Sequence, residues 1–275
     1  MNSASPEGKF PFGKENRKRE IESKQKKIGK EQLLGTLFGI TPRGYTLRDS
    51  PLEGHPSTFD GTFRRVLPEG ETSLRGYIEK ELASRKGKAV GIEFGGPGRE
   101  LFAGFSEGFF QKTAGVPLVD PRRTVFSDAK AIDAERHHQI ISGDILSEKT
   151  YERLNEWLDG DKADLILERM MAGWKNMPNE PFTVGKLFQR GYGLLGEGGL
   201  MFLEVPREWE PLATPWADYV KAYSKGTLDI QLGQAESAYP YGFRLNKKLG
   251  APETLPLLDP RTVREISKKS FKEGV

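Results

Sequence analysis

The chain has 275 residues, 36% of them hydrophobic, which suits one large domain, or one domain with appendages, around a full core. It has no cysteine and three histidines, which excludes a disulfide framework and a thiolate metal site and argues against a metal site built from histidines. No apolar run approaches the roughly 18 residues of a membrane span, and the N-terminus lacks the apolar core of a signal peptide. We therefore expect a soluble cytoplasmic protein without a metal.

Charge is distributed unevenly along the chain. The net charge is +3, but residues 9–30 hold nine Lys or Arg against three Glu and so carry +6 by themselves. Residues 1–32 are predicted to form a basic arm that is disordered or a frayed helix. The arm either tethers RNA electrostatically or is a solvated tail. The remaining chain carries −3, which argues against a broad nucleic-acid groove, since such a groove is normally basic.

Residues 33–71 are predicted to be an extension ahead of the main domain. An apolar patch at 33–40 is expected to dock on the body, and a stretch rich in Pro, Gly and Arg follows it. A stretch of this kind folds over an active site or is a plain surface loop, and both alternatives stay open here. A helix is predicted over Ser73–Arg85, with Thr72 or Ser73 as its cap.

A strand, a glycine turn and a helix are predicted over residues 88–109. The apolar run 89–92 has the length of one buried strand and is followed by Glu93. The turn is Gly-Gly-Pro-Gly, in which glycine allows positive φ and a close approach of the backbone to a ligand. This is the first unit of a nucleotide-binding α/β domain. Apolar residues with helical spacing follow at Leu101, Phe102, Phe105 and Phe109.

The glycine spacing excludes two common nucleotide loops. A dinucleotide fingerprint needs a glycine where Leu101 stands, and no G-x-x-x-x-G-K-[ST] phosphate loop occurs. The motif E-x-G-G-P-G at 93–98 instead resembles the first motif of the class I S-adenosylmethionine (SAM) methyltransferases. A tight turn in any α/β domain is the alternative. The resemblance implies that the cofactor is bound by Glu93, Gly95, Gly96 and Gly98.

Acids are predicted at the ends of the next two strands. The second strand is expected to run from Val116 to Asp120, which lies 22 residues after Gly98. A carboxylate there can accept hydrogen bonds from both ribose hydroxyls, and a helix cap is the alternative. For the third strand and its loop, Gln139–Leu146, the resemblance implies that Asp144 binds the adenine amino group and that Ile145 lies beside the ring.

The rest of the domain is predicted to complete an α/β sheet. A helix opening at Asn179 and Pro181 is expected to bury Leu195, before Gly196–Gly199 turns the chain into the fifth strand. The remaining strands are predicted at Ala163–Leu167, Leu200–Val205, Thr227–Leu232 and Tyr241–Asn246. The resemblance covers about residues 72–247 and implies a doubly wound seven-stranded sheet, order 3-2-1-4-5-7-6, with an antiparallel last strand. Residues 248–275 are predicted to be a tail with a short helix.

The layout is nearest to the FtsJ-like ribose 2′-O-methyltransferases of RNA, which residues 143–167 resemble in the spacing of the third and fourth strands. That family carries an aspartate where Glu168 stands and a lysine in the fifth strand, where this chain has Phe202-Leu203-Glu204. A ribose hydroxyl is a poor nucleophile that must lose its proton. The sequence therefore does not support ribose methylation.

Glu168 is the candidate catalytic residue, because it follows the fourth strand at the carboxyl edge, where ligands bind in such sheets. An ion pair with Arg169 is the alternative role for Glu168. Arg169 and Trp174 are candidates for contact with the methyl acceptor, although a Trp at such a position is often simple packing.

These patterns predict a SAM-dependent methyltransferase whose acceptor is not identified. The basic arm slightly favours RNA or an RNA-associated protein as the acceptor. A small-molecule methyltransferase and a non-catalytic methyltransferase-like binding protein are the alternatives, because one fold serves many functions. SAM and S-adenosylhomocysteine are the expected ligands, no membrane contact is expected, and the oligomeric state is not predicted.

Overall fold

The computed structural model describes most of the chain between residues 52 and 264. The described residues are 52–54, 58–117, 137–141, 145, 147–169, 181–206, 210–234, 240–258, 261–262 and 264. The basic arm and the apolar patch at 33–40 lie outside them. None of the helices in these ranges is long and apolar enough to cross a membrane.

Seven strands form one sheet in the order β3-β2-β1-β4-β5-β7-β6. Strand β7 runs antiparallel to both of its neighbours, and the other pairs are parallel. The predicted topology is therefore confirmed. The strands are β1 Ala89–Gly95, β2 Phe110–Pro117, β3 His138–Ile140, β4 Ala163–Glu168, β5 Leu195–Pro206, β6 Leu228–Gln234 and β7 Pro240–Lys247.

Helices cover both faces of the sheet, because successive strand residues point to opposite sides and both sides are apolar. One face packs Leu165, Leu167 and Phe202 against the first three helices, and the other packs Ile166, Met201 and Leu203 against the last three. The α-helices whose bounds the structure describes are, in chain order, α1 Phe59–Phe63, α2 Leu74–Glu81, α3 Arg99–Ala103, α4 Glu148–Leu158, α5 Pro181–Leu194 and α6 Glu210–Tyr223.

The predicted helix over Ser73–Arg85 forms in two pieces. Ser73 is the cap, and its hydroxyl accepts a hydrogen bond from the amide of Gly76 at 3.0 Å. The α-helical piece ends at Glu81, and one 3₁₀ turn continues to Arg85. Leu74, Tyr77 and Ile78 are buried as their spacing predicts.

The long helix predicted after the glycine turn is wrong beyond Ala103. At Gly104, where the helix ends, an added Cβ would lie 2.7 Å from the Cβ of Leu52, so the backbone at Gly104 packs tightly against the N-terminal extension. Phe105 and Phe109 are buried, but in an aromatic cluster and not on a helix. Strand β2 consequently begins at Phe110, earlier than the predicted start at Val116.

The boundary between α5 and β5 also differs from the prediction. Leu195 is the first residue of β5 and not part of the buried face of a helix. Ala163 pairs with Leu195 and Leu165 pairs with Leu200, so the predicted glycine turn at 196–199 is an irregularity within the strand pairing. Extra residues on one of two paired strands are the mark of a bulge, for which glycine is well suited.

The segment that follows β7 packs along α5 and α6. The Nε2 of Gln189 donates to the carbonyl of Leu255 at 2.6 Å, and the indole of Trp216 donates to the carbonyl of Pro256 at 3.0 Å. The hydroxyl of Tyr192 donates to the carbonyl of Pro252. Leu255 and Leu258 are buried in the same core as α5. We name residues 251–258 the C-terminal strap.

Candidate functional site

The glycine turn connects β1 to α3 at the carboxyl edge of the sheet. Gly95 has φ +96° and Gly98 has φ +78°, values that side chains other than glycine adopt only with strain. Gly98 stands directly before α3, which is only five residues long. The backbone freedom predicted for these glycines is thus used at both ends of the turn.

Glu93 supports the turn from within the sheet. A Cβ added to Gly96 would lie 2.2 Å from the Oε1 of Glu93, so the carboxylate lies directly against the backbone of the turn. The Glu93 side chain is buried, with 3% of the residue exposed. The glycine at 96 is therefore required by an internal contact as well as by any ligand.

A second support comes from β2 and β3. A Cβ on Gly115 would lie 2.1 Å from the carbonyl oxygen of Pro97, so the backbone of β2 is in direct contact with the backbone of the turn. The Nε2 of His138 hydrogen bonds the same carbonyl at 2.7 Å, and its Nδ1 hydrogen bonds the hydroxyl of Thr113 at 2.7 Å. His138 is 8% exposed.

Sequence reasoning did not identify Gly115, His138 or Thr113. A glycine inside a strand signals close approach of another backbone, so Gly115 carried a usable signal. The sequence contains no comparable signal for His138, because its partner carbonyl lies 41 residues away along the chain.

Of the residues predicted to line the nucleoside, the structure describes one. Ile145 is fully buried in the core that contains Phe94 and Tyr151, whose rings lie 6.0 Å apart. Asp120 and Asp144 lie outside the described residues, as does Trp174. Their predicted roles stay predictions.

Glu168 is the last residue of β4 and is almost completely buried, with 1% exposed. Its Oε2 accepts a hydrogen bond from the backbone amide of Glu204 in β5 at 2.8 Å. Because Glu168 pairs in register with Phe94, its side chain points to the face covered by α4–α6. The bond fixes the orientation of the carboxylate and joins the ends of two strands.

Arg169 follows the last residue of β4, and its side chain points to the face of the sheet opposite to that of Glu168. Its Nε donates to the hydroxyl of Thr62 at 3.1 Å, and its guanidinium lies 5.9 Å from the ring centre of Phe59. Both partners belong to α1, in the N-terminal extension. A Cβ on Gly242 in β7 would lie 3.0 Å from the carbonyl of Thr62, so α1 also packs on the sheet.

Within the described part of the extension, α1 is therefore a buried component of the domain. All five residues of α1 are buried. Asp60 accepts a hydrogen bond from the amide of Leu74 at 2.7 Å and pairs with Arg64, which joins α1 to the start of α2. Through Arg169, α1 also borders the carboxyl end of β4.

Three buried acids lie near the carboxyl ends of adjacent strands: Glu93 in β1, Glu168 in β4 and Glu204 in β5. In the part of the chain that the structure describes, they are not grouped closely enough to hold a metal ion. Buried carboxylates suit a cationic ligand, since an opposite charge offsets the cost of burying them.

Comparison with known proteins identifies no relative by sequence. No protein-family profile matches the chain, and no curated protein matches it. Similar solved structures include an rRNA methylase from Streptococcus thermophilus, at 12% identity and TM-score 0.43 over 65% of this chain and 99% of that one. A SAM-dependent methyltransferase from Clostridium acetobutylicum has 13% identity and TM-score 0.41, over 62% and 89%. An O-methyltransferase family protein from Burkholderia thailandensis has 10% identity and TM-score 0.40, over 63% and 57%.

At these identities and TM-scores, the similarity indicates neither an activity nor an acceptor. The assignment of the fold depends on the sheet itself, whose order 3-2-1-4-5-7-6 and antiparallel β7 are those implied by the sequence motif at 93–98. The chain has the seven-stranded fold of the class I SAM-dependent methyltransferases.

Proposed function

We propose that the chain is a SAM-dependent methyltransferase that holds SAM at the glycine turn between β1 and α3. The observation that carries the proposal is the turn itself, with positive φ at Gly95 and Gly98, at the carboxyl end of β1, an inner strand of this sheet. In doubly wound sheets, ligands bind outside the carboxyl ends of the strands, where the strand order reverses.

The chemistry of the surrounding side chains fits this cofactor. SAM carries a sulfonium and an ammonium group, and the buried carboxylates of Glu93, Glu168 and Glu204 lie near the carboxyl ends of neighbouring strands at the same edge. Ile145 is a buried apolar side chain, and we propose that it lies beside the adenine ring. We propose that Asp120 and Asp144 complete the site by binding the ribose and the adenine amino group.

SAM supplies a methyl group that is already activated by the positive sulfur, so the protein contributes chiefly by positioning the donor and acceptor and by excluding water. Glu168 is the side chain proposed to contact the acceptor. The backbone amide of Glu204 donates a hydrogen bond to the Oε2 of Glu168, which keeps the carboxylate in one orientation. If the acceptor must lose a proton, we propose that Glu168 receives it.

The proposed acceptor is RNA or an RNA-associated protein, supported by the +6 charge of residues 9–30. A small molecule is the second candidate. Arg169 is proposed to shape the acceptor side indirectly, since its observed contacts are with Thr62 and Phe59 of α1.

Calorimetric titration with S-adenosylhomocysteine tests the cofactor proposal, with the variant Gly95→Ala and the matched control Gly226→Ala. Both glycines have positive φ, +96° and +83°, so both changes introduce similar backbone strain of about 1–2 kcal/mol. Gly226 follows α6 and lies outside the turn. We expect Gly95→Ala to lose binding and Gly226→Ala to retain it. Absence of binding to the folded wild-type protein would refute the proposal.

A further inference from the structure

We infer that His138 is a positioning residue that holds the cofactor-binding turn in its ligand-ready shape. The inference rests on the proposed function, because it assigns a role in SAM binding to a residue that does not belong to the glycine motif. His138 lies on β3, at the edge of the sheet, and reaches across β2 to the carbonyl of Pro97 in the centre of the turn.

The hydrogen bond to Pro97 requires a proton on the Nε2 of His138. A carbonyl oxygen can only accept, so the Nε2 of His138 must carry a proton to bond Pro97. In the neutral ring, Nδ1 then accepts the proton of the Thr113 hydroxyl. Thr113 pairs in register with His138 across β2 and β3 and is itself buried. The Pro97 carbonyl therefore selects the tautomer, and Thr113 satisfies the other ring nitrogen and orients the ring.

The surroundings leave the ring little freedom. A Cβ on Gly98 would lie 3.0 Å from the Cε1 of His138, so the ring packs against the last residue of the turn. The ring of Phe102 in α3 lies 6.2 Å away, centre to centre. His138 thus contacts both the middle and the end of the turn. Because Gly115 has no side chain, the backbone of β2 also packs directly against Pro97.

This arrangement gives His138 a role in affinity. Pro97 has no amide proton, so the polar group that the turn offers at this residue is its carbonyl. Without the bond to Nε2, the buried carbonyl of Pro97 loses this hydrogen-bond partner, and the turn can relax into other backbone conformations. A turn that is only partly in its binding shape has a weaker apparent affinity in proportion to the lost fraction.

Two substitutions separate the relevant nitrogen from general packing. In His138→Gln the side-chain amide nitrogen can occupy the position of Nε2 and donate to Pro97. In His138→Asn the shorter amide reaches only the position of Nδ1, so it can keep the contact with Thr113 but not the bond to the turn. Thr113→Val removes the hydroxyl that bonds Nδ1 and orients the ring, and it keeps the shape of the side chain.

The experiment measures the Kd of S-adenosylhomocysteine by calorimetry and amide hydrogen exchange at Gly95, Gly96 and Gly98. We expect His138→Asn to raise Kd about tenfold, the worth of one buried hydrogen bond, and to speed exchange in the turn. Thr113→Val should shift both readouts in the same direction by less, and His138→Gln should restore most of the wild-type behaviour.

Equal exchange and equal Kd in the wild type and a folded His138→Asn would overturn the inference, as would His138→Gln behaving like His138→Asn. If His138→Asn does not fold, Thr113→Val decides the question by the same two readouts. If the wild type binds no S-adenosylhomocysteine, the proposed function fails, while exchange in the turn still shows whether His138 holds it.

Discussion

The two halves of the carboxyl edge are built in different ways. The half formed by β1, β2 and β3 is held by short contacts on one backbone turn, from Glu93, Gly115 and His138. The half formed by β4, β5 and β7 is bordered by a separate element, α1, which Arg169 joins to the end of β4.

The difference bears on what each half can do. Contacts made directly to a backbone leave little room for change, which suits the binding of an invariant cofactor. An added helix that is joined through side chains can vary without disturbing the sheet, which suits the choice of an acceptor. We therefore expect changes in the first half to affect SAM binding and changes in α1 to affect stability first.

Gly115→Ala should have the largest effect and should confirm the rigidity of the first half. The new methyl group would lie 2.1 Å from the carbonyl oxygen of Pro97, and neither backbone can move away cheaply. We expect a loss of about 3 kcal/mol in the free energy of unfolding, with loss of S-adenosylhomocysteine binding. Urea unfolding and calorimetry measure the two effects.

Gly193→Ala is the matched control for this change. Gly193 lies in α5, and an added Cβ there would meet nothing within 4 Å. Alanine should be neutral or stabilising at this helical position by about 1 kcal/mol. A Gly115→Ala protein that binds the ligand as tightly as Gly193→Ala would contradict the view that the first half is rigid.

Asp60→Ala should have a smaller effect and should separate the second half from the first. The change removes the acceptor for the amide of Leu74 and the partner of Arg64. We expect the free energy of unfolding to fall by about 2 kcal/mol, because a buried donor is left unsatisfied. The Kd of S-adenosylhomocysteine should stay within about twofold of the wild type. A large change in Kd would mean that α1 also shapes the cofactor half.

Tyr192→Phe should have the smallest effect at neutral pH, about 1 kcal/mol, through the lost hydrogen bond to Pro252 in the C-terminal strap. Burial raises the pKa of Tyr192 to about 12. The unfolded tyrosine loses its proton near pH 10, and the folded one keeps it until about pH 12. The stability that the neutral hydroxyl contributes is therefore complete below pH 10 and is lost as the pH rises towards 12.

The measurement is the free energy of unfolding of both proteins from pH 9 upwards. Tyr192→Phe should lack part of the alkaline decline, so the difference between the two proteins should shrink as the pH rises. Tyr192 belongs to α5, which lies between β4 and β5 in the chain. The change therefore also tests how much the contact between the strap and α5 stabilises the second half. A constant difference across this pH range would show that the hydroxyl is not held in the strap contact.

Most elements of the sheet could be predicted from the amino-acid sequence alone. Apolar runs placed β1 and β4, Ser73 marked the start of α2, and the glycine pattern at 93–98 pointed to the fold. These features are local, since a strand needs a run of apolar residues and a helix needs a cap, wherever their partners lie.

At positions where the local pattern fits both a helix and another structure, tertiary contacts determine which one forms. Phe105 and Phe109 have helical spacing, yet the same spacing arises when aromatic side chains from a turn fill one cluster. Leu195 is apolar enough for the end of α5 or the start of β5, and pairing with Ala163 selected the strand.

The partners of the site residues were also beyond the sequence. His138 and Pro97 are 41 residues apart, Glu168 and Glu204 are 36 apart, and Arg169 lies 107 residues after Thr62. A sequence pattern records that a position is polar or buried, but a hydrogen bond also needs a partner at the right distance and angle. Only the folded sheet, which brings the carboxyl ends of distant strands to one edge, supplies those partners.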